Sequence, residues 1–156
     1  MDLQEEYEIL RKKYNLPSYK ELDEEYELLY FQSVLEIKYP LRFIRRRIID
    51  KVNGFIHFFQ NILHPINSNL ISLEESSFLT EEEKQGVVHL VKNLLILERE
   101  SLLLDIDHQE KKDAEFIQRA HKQWLGYKHN VLEYISKIKE GWKKETRTNP
   151  DNHYFG

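Results

Sequence analysis

The residues best placed to do chemistry in this chain are polar groups standing where helical periodicity expects apolar ones. Turned at about 100° per residue, residues 81–106 place Glu98, Ser101 and Asp105 inside an apolar arc shared with Leu94, Leu95 and Leu102. The same projection over residues 40–63 sets Arg45 among Ile49, Val52, Ile56 and Leu63, away from Arg42 and Arg46 on the outer face. His121 lies at the margin of a third stripe, beside Ile117 and Trp124. An unpaired charge inside a core is costly, so these groups are expected to find one another. The expected network pairs Arg45 with Glu98 or Asp105, with His121 nearby. Its expected role is to fix helix register, not to catalyse.

Other chemistry finds little support. Di-iron bundles use Glu-x-x-His pairs on facing helices, and none occurs. His129 with Glu133, and Gln85 with His89, are each four apart, but one such pair does not complete a coordination shell. The histidines at 57, 64, 89, 108, 121, 129 and 153 are scattered, and there is no cysteine to supply a thiolate. There is no glycine-rich phosphate loop, no HExxH and no GxSxG. The Arg and His of helical HEPN ribonucleases lie a few residues apart on one helix. Here Arg47 and His57, and Arg99 and His108, are too far apart, and Arg119 and His121 too close. No catalytic residue, metal or small-molecule cofactor is therefore expected, and the chain reads as non-enzymatic.

Binding surfaces are the remaining class. Arg42, Arg45, Arg46, Arg47 and Lys51 form one basic cluster; Lys137, Lys139, Lys143, Lys144 and Arg147 form another. Phosphate contact would use Arg42, Arg46, Lys139 and Lys143, as in an RNA- or ribosome-associated factor. Against that, the aromatics fall on buried stripes, where bases cannot stack on them. Phe43 and Phe58 project from the far side of their helix, as Ile96 and Leu103 do from theirs. Apolar groups on a back face need a cover, either the 26–37 segment or another chain. The tail carries adjacent aromatics, Tyr154 and Phe155, that could dock in a partner or on the chain itself. A protein partner or homodimer is the preferred expectation, with RNA or the ribosome as the alternative.

The elements that position these groups are helices. From Phe116 to Trp142 apolar residues recur at steps of three and four, a spacing that a strand cannot place on one side. Residues 2–14 read as a first helix closed by Leu16-Pro17. Ser18 with Glu21 forms a capping box opening a short helix to about Glu25. Residues 26–37 fit neither period cleanly, and either a helix or an extended strap is possible. Pro40 starts a helix to about Leu63, with Leu41, Ile44, Ile48, Val52, Phe55, Phe59 and Ile62 inward. Residues 65–79 read as a loop, with a helical turn around Leu70–Glu74. Thr80 with Glu83 caps a helix from Glu81 to about Ile106, and Asp107 with Glu110 offers a third cap before the last helix. Gly126 can bend or divide that last helix. The expected fold is all-α: an antiparallel bundle of about four main helices with a short N-terminal addition, one domain over 1–147 and a tail over 148–156.

The segments LPSYKELDEEYEL, LRFIRRRIIDKVNGFIHFFQNILHP and DHQEKKDAEFIQ, with the ending GWKKE…YFG, resemble a group of small, uncharacterised all-helical proteins found in archaea. The resemblance implies a helical domain and carries over no active site, since its motifs are caps and core residues.

Length and charge agree with this picture. A chain of 156 residues can bury a core without disulfides. Five glycines and four prolines are too few for a β-sandwich. The net charge of −4 divides into blocks of −5 over 1–40, +4 over 41–65, −7 over 66–110 and +4 over 111–156. Such alternation suits helices that attract their neighbours. No stretch approaches the roughly 18 apolar residues of a membrane span. The acidic opening MDLQEEYEIL lacks the basic start of a secretory signal, so a cytoplasmic location is expected.

Overall fold

The computed structural model describes residues 2–66 and 69–148, and every regular element among them is helical. The helices are α1 (Leu3–Tyr14), α2 (Tyr19–Tyr26), α3 (Leu28–Val34), α4 (Pro40–Leu63), α5 (Leu70–Ser77), α6 (Glu81–Ile106) and α7 (Glu110–Thr148). None of them is long and apolar enough to cross a membrane. They gather in two compact units. One comprises Met1–Gly54 with Leu94–Gly126, and the other Phe55–Asn93 with Tyr127–Gly156. The long helices α4, α6 and α7 each contribute a segment to both.

In the first unit, local capping explains the short N-terminal helices. Asp2 and Glu5 form a reciprocal capping box at the start of α1. The helix ends at Asn15, whose left-handed backbone (φ 54°) lets the Leu16 amide donate to the Arg11 carbonyl. The buried Tyr7 hydroxyl then ties down the following loop, donating to the Pro17 carbonyl at 2.7 Å. Ser18 caps α2 by accepting from the Glu21 amide, but only half of the expected box forms, because the Glu21 carboxylate is drawn to His121 instead. Between α2 and α3 the chain turns on Glu27, another left-handed residue (φ 56°), while Asp23 accepts from the Leu29 amide. The ambiguous 26–37 stretch is thus a two-turn helix followed by extended chain from Leu35.

Three further expectations change in this unit. Leu102 is exposed, so the inner face of α6 narrows towards its C-terminal end. Asp107 and Glu110 do not cap α7: Asp107 accepts from Gln109, and Glu110 accepts from Lys13 and Tyr14 of α1. Gly126, expected to bend or divide the last helix, lies within an unbroken α7, and a β-carbon there would meet open space.

In the second unit, Thr80 and Glu83 do form the reciprocal box that opens α6. The loop expected over 65–79 contains α5, capped by Asn69. Phe59 meets Tyr134 edge-on at 6.3 Å, and Phe78 meets Trp142 edge-on at 5.1 Å. Gly141 permits the second contact, since a β-carbon there would collide with the Phe78 ring. The inward stripe of α4 is shifted from expectation: Ile49 in the first unit and Ile56 in the second are buried, and Phe55 is only half-buried.

Candidate functional site

The polar residues on apolar stripes resolve into two separate networks in the first unit. Arg45, near the start of α4, has no exposed surface. Its Nε donates to Asp113 Oδ1 at 2.7 Å and its Nη2 to Asp105 Oδ1 at 2.6 Å. Its Nη1 donates to both the carbonyl and the hydroxyl oxygen of Ser101, at 2.9 and 2.5 Å. Every arm of the guanidinium is therefore used, which a buried charge requires. Burial by itself would raise the Asp105 carboxyl; the Arg45 hydrogen bond and charge, with help from Arg46, outweigh it and hold it below the usual range.

Glu98 does not join this network, contrary to expectation. Its carboxylate pairs with the adjacent Arg99 instead. Asp113 of α7 takes its place, fully buried. The signal for it was present, since Asp113 extends the apolar stripe back by three and four residues from Phe116 and Ile117. His121 is also elsewhere. It is buried between Tyr26, whose hydroxyl lies 2.8 Å from Nδ1, and Glu21, 2.9 Å from Nε2. Burial pushes the Tyr26 phenol far above its ordinary range, so it stays protonated beside Nδ1. Nearby, the Glu25 carboxylate accepts from both Lys51 and Trp124 at 2.7 Å.

The basic cluster of α4 is mostly neutralised within the protein. Arg45 is spent on Asp113 and Asp105, Arg46 lies 3.3 Å from Asp105, Arg47 pairs with Asp50 at 2.9 Å, and Lys51 with Glu25. Arg47 also lies over the Phe31 ring, its Cζ 3.3 Å from the centroid. Arg42 differs. Among the described residues it has no carboxylate partner, its Nε is buried without a hydrogen bond, and its guanidinium lies 5.6 Å over the Tyr39 ring.

Arg42 stands on a groove of about 430 Å³ between the chain after α3 and the first turns of α4. Phe31, Leu35, Ile37 and Phe43 supply apolar lining, and Lys38, Arg42, Arg46 and Arg47 supply the positive side, against Glu36 and Asp50. Phe43 is half-buried in it. The apolar surface continues along α3, where Tyr30 and Val34 are 64% and 62% exposed.

In the second unit, Phe58 lines a concavity of about 590 Å³ with Ile135, Ile138 and Trp142, and Lys139 and Lys143 stand on its wall. Phe58 packs edge-on against Phe59, and Lys143 lies 3.6 Å from Glu140. Lys137 is paired with Glu83. The expected contacts Tyr154 and Phe155 lie outside the described residues. No group of three or more His, Asp or Glu among the described residues is placed to hold a metal ion. No protein family, curated protein or solved structure matches the chain, and the meaning of the groove therefore rests on its own geometry.

Proposed function

We propose that the chain is a non-enzymatic interaction protein that binds an acidic peptide segment of a partner protein, with apolar anchors, in the groove beside Phe43 and Arg42. The supporting observation is the charge balance of that groove: an apolar floor, a net positive rim, and one arginine left without a carboxylate. A helical segment presenting Leu or Phe on one face and Asp or Glu on its margin would fill the floor and neutralise Arg42. In this reading the long helices form an antiparallel bundle that serves as a rigid platform, and the protein works in the cytoplasm. The resemblance to small archaeal helical proteins belongs to the same proposal.

RNA or ribosome binding is less well supported. Phosphate contact needs unpaired cations, and four of the five basic residues from Arg42 to Lys51 already have carboxylates. Selection from a random peptide library, followed by affinity measurements on the enriched sequences, tests the proposal. Acidic sequences with spaced apolar residues should emerge, tolerate salt, and lose about tenfold or more in affinity to Phe43→Asp. Failure to enrich such sequences, with tight and steeply salt-dependent binding of an oligoribonucleotide, would replace this reading with the other.

A further inference from the structure

A second concavity in the first unit, of about 450 Å³, lies between α1 and the start of α4 and contains chemistry that the peptide groove does not use. Ile9 and Leu10 face Pro40 and Leu41 across it, and Tyr39 and His108 form another part of its wall. Two residues on this wall carry buried polar atoms without a hydrogen bond: Arg42, at Nε, and Asp113, at Oδ2. Asp113 is completely buried and fixed through its other oxygen by Arg45. The His108 Nε2 approaches Asp113 Oδ2 to 2.8 Å, but without hydrogen-bond alignment. The Tyr39 ring lies 5.3 Å from the His108 ring, inclined by 50°. Asp113 Oδ2 has His108 beside it, so the Arg42 Nε is the polar atom on this wall that lacks a partner; buried donors normally have one, and its absence points to an acceptor ligand.

We propose that this cavity binds a small monocarboxylate with an apolar body. Lys38 and Arg42 supply the cationic end. Among the described residues neither has a carboxylate partner, and both lie over the Tyr39 ring, leaving their charge for a ligand. A carboxylate matches the planar donor pattern of Arg42. The ligand's apolar body lies against Ile9, Leu10 and Pro40. The acids on the same wall, Glu6, Glu110 and Asp113, set the limit on ligand charge, because they repel a dianion more strongly than a monoanion. Asp113, 2.8 Å from Nε2, keeps the His108 ring beside Tyr39 as part of the wall. The site goes beyond the peptide groove, with which it shares Lys38, Tyr39 and Arg42.

Titration of isotope-labelled protein with benzoate, followed through the His108 ring resonances and by calorimetry, tests this, with inorganic phosphate in parallel. Benzoate should saturate, and phosphate should not bind. Arg42→Met should weaken benzoate about tenfold or more, the loss expected for a hydrogen bond to a charged group. Ile9→Asp, a change at an exposed position, should weaken it as well. Phe43→Asp should leave benzoate binding intact while weakening peptide binding about tenfold or more, so the two readings fail separately. Non-saturating shifts, equal binding of phosphate, or unchanged affinity in a folded Arg42→Met variant would overturn the proposal.

Discussion

Replacing Arg45 by methionine removes four hydrogen bonds and leaves Asp113 buried with its charge uncompensated on the α4 side. Removing one partner from a buried pair of this kind costs about 3–5 kcal/mol. At roughly 2–4 °C per kcal/mol for a chain of this size, the melting temperature should fall by about 6–20 °C. Asp113→Leu should cost less than Arg45→Met, because the guanidinium keeps Ser101 and the partly exposed Asp105. The double variant Arg45→Met/Asp113→Leu removes both charges, and an apolar pair of similar volume is often neutral or stabilising. It should therefore be more stable than Arg45→Met alone. Urea unfolding of the four proteins, followed by far-UV circular dichroism, gives the cycle. A loss below about 0.5 kcal/mol for Arg45→Met, the ordinary range of surface changes, would refute the reasoning. So would strictly additive losses in the double variant.

Glycine substitutions should separate two environments on α7. Gly126→Ala meets open space and should stabilise by about 0.5–1 kcal/mol, whereas Gly141→Ala drives a methyl group into the Phe78 ring and should destabilise by about 1–3 kcal/mol, both read from chemical denaturation. Glu27→Gly should stabilise by up to about 1 kcal/mol in the same assay, because the left-handed turn between α2 and α3 strains any residue with a β-carbon. The Glu83 carboxyl is held below its usual range by the Lys137 hydrogen bond first and the Thr80 amide second. Its contribution is therefore present above the unfolded carboxylate's range and lost as pH falls through the depressed folded value. Glu83→Gln keeps the cap but removes this titration, so thermal stability measured against pH should lose part of its acid-side decline; an unchanged profile would count against the pairing.

The long helices were legible because their information is local and periodic. Pro40 marks the start of α4, Thr80 and Glu83 the start of α6, and the stripes between them repeat every three to four residues. Among the short elements α1 and α2 were legible too, from Leu16-Pro17 and Ser18, but α3 was not, because its start depends on a backbone state that its residue types do not announce. Asn15 and especially Glu27 turn left-handed where a glycine would have been readable. Capping signals misled where a tertiary partner took the carboxylate, as His121 does with Glu21 and as Lys13 and Tyr14 do with Glu110. In the network, the burial of Arg45 was readable from its stripe, but its choice of Asp113 over Glu98 depends on which helix lies opposite. The cavity wall was not readable, since Ile9, Arg42 and His108 are brought together only by folding.

Asp105 and Asp113 sit on either side of the short connection between α6 and α7, and both point an oxygen at the same guanidinium. A hairpin of these two helices alone would bring like charges together with nothing between them. Only when α4 arrives, some 60 residues earlier in sequence, does repulsion turn into attraction. Partly assembled forms of this unit are thereby penalised from both directions, by crowded carboxylates without α4 and by a stranded guanidinium without the hairpin. Its helices should consequently melt together, in a single sharp transition.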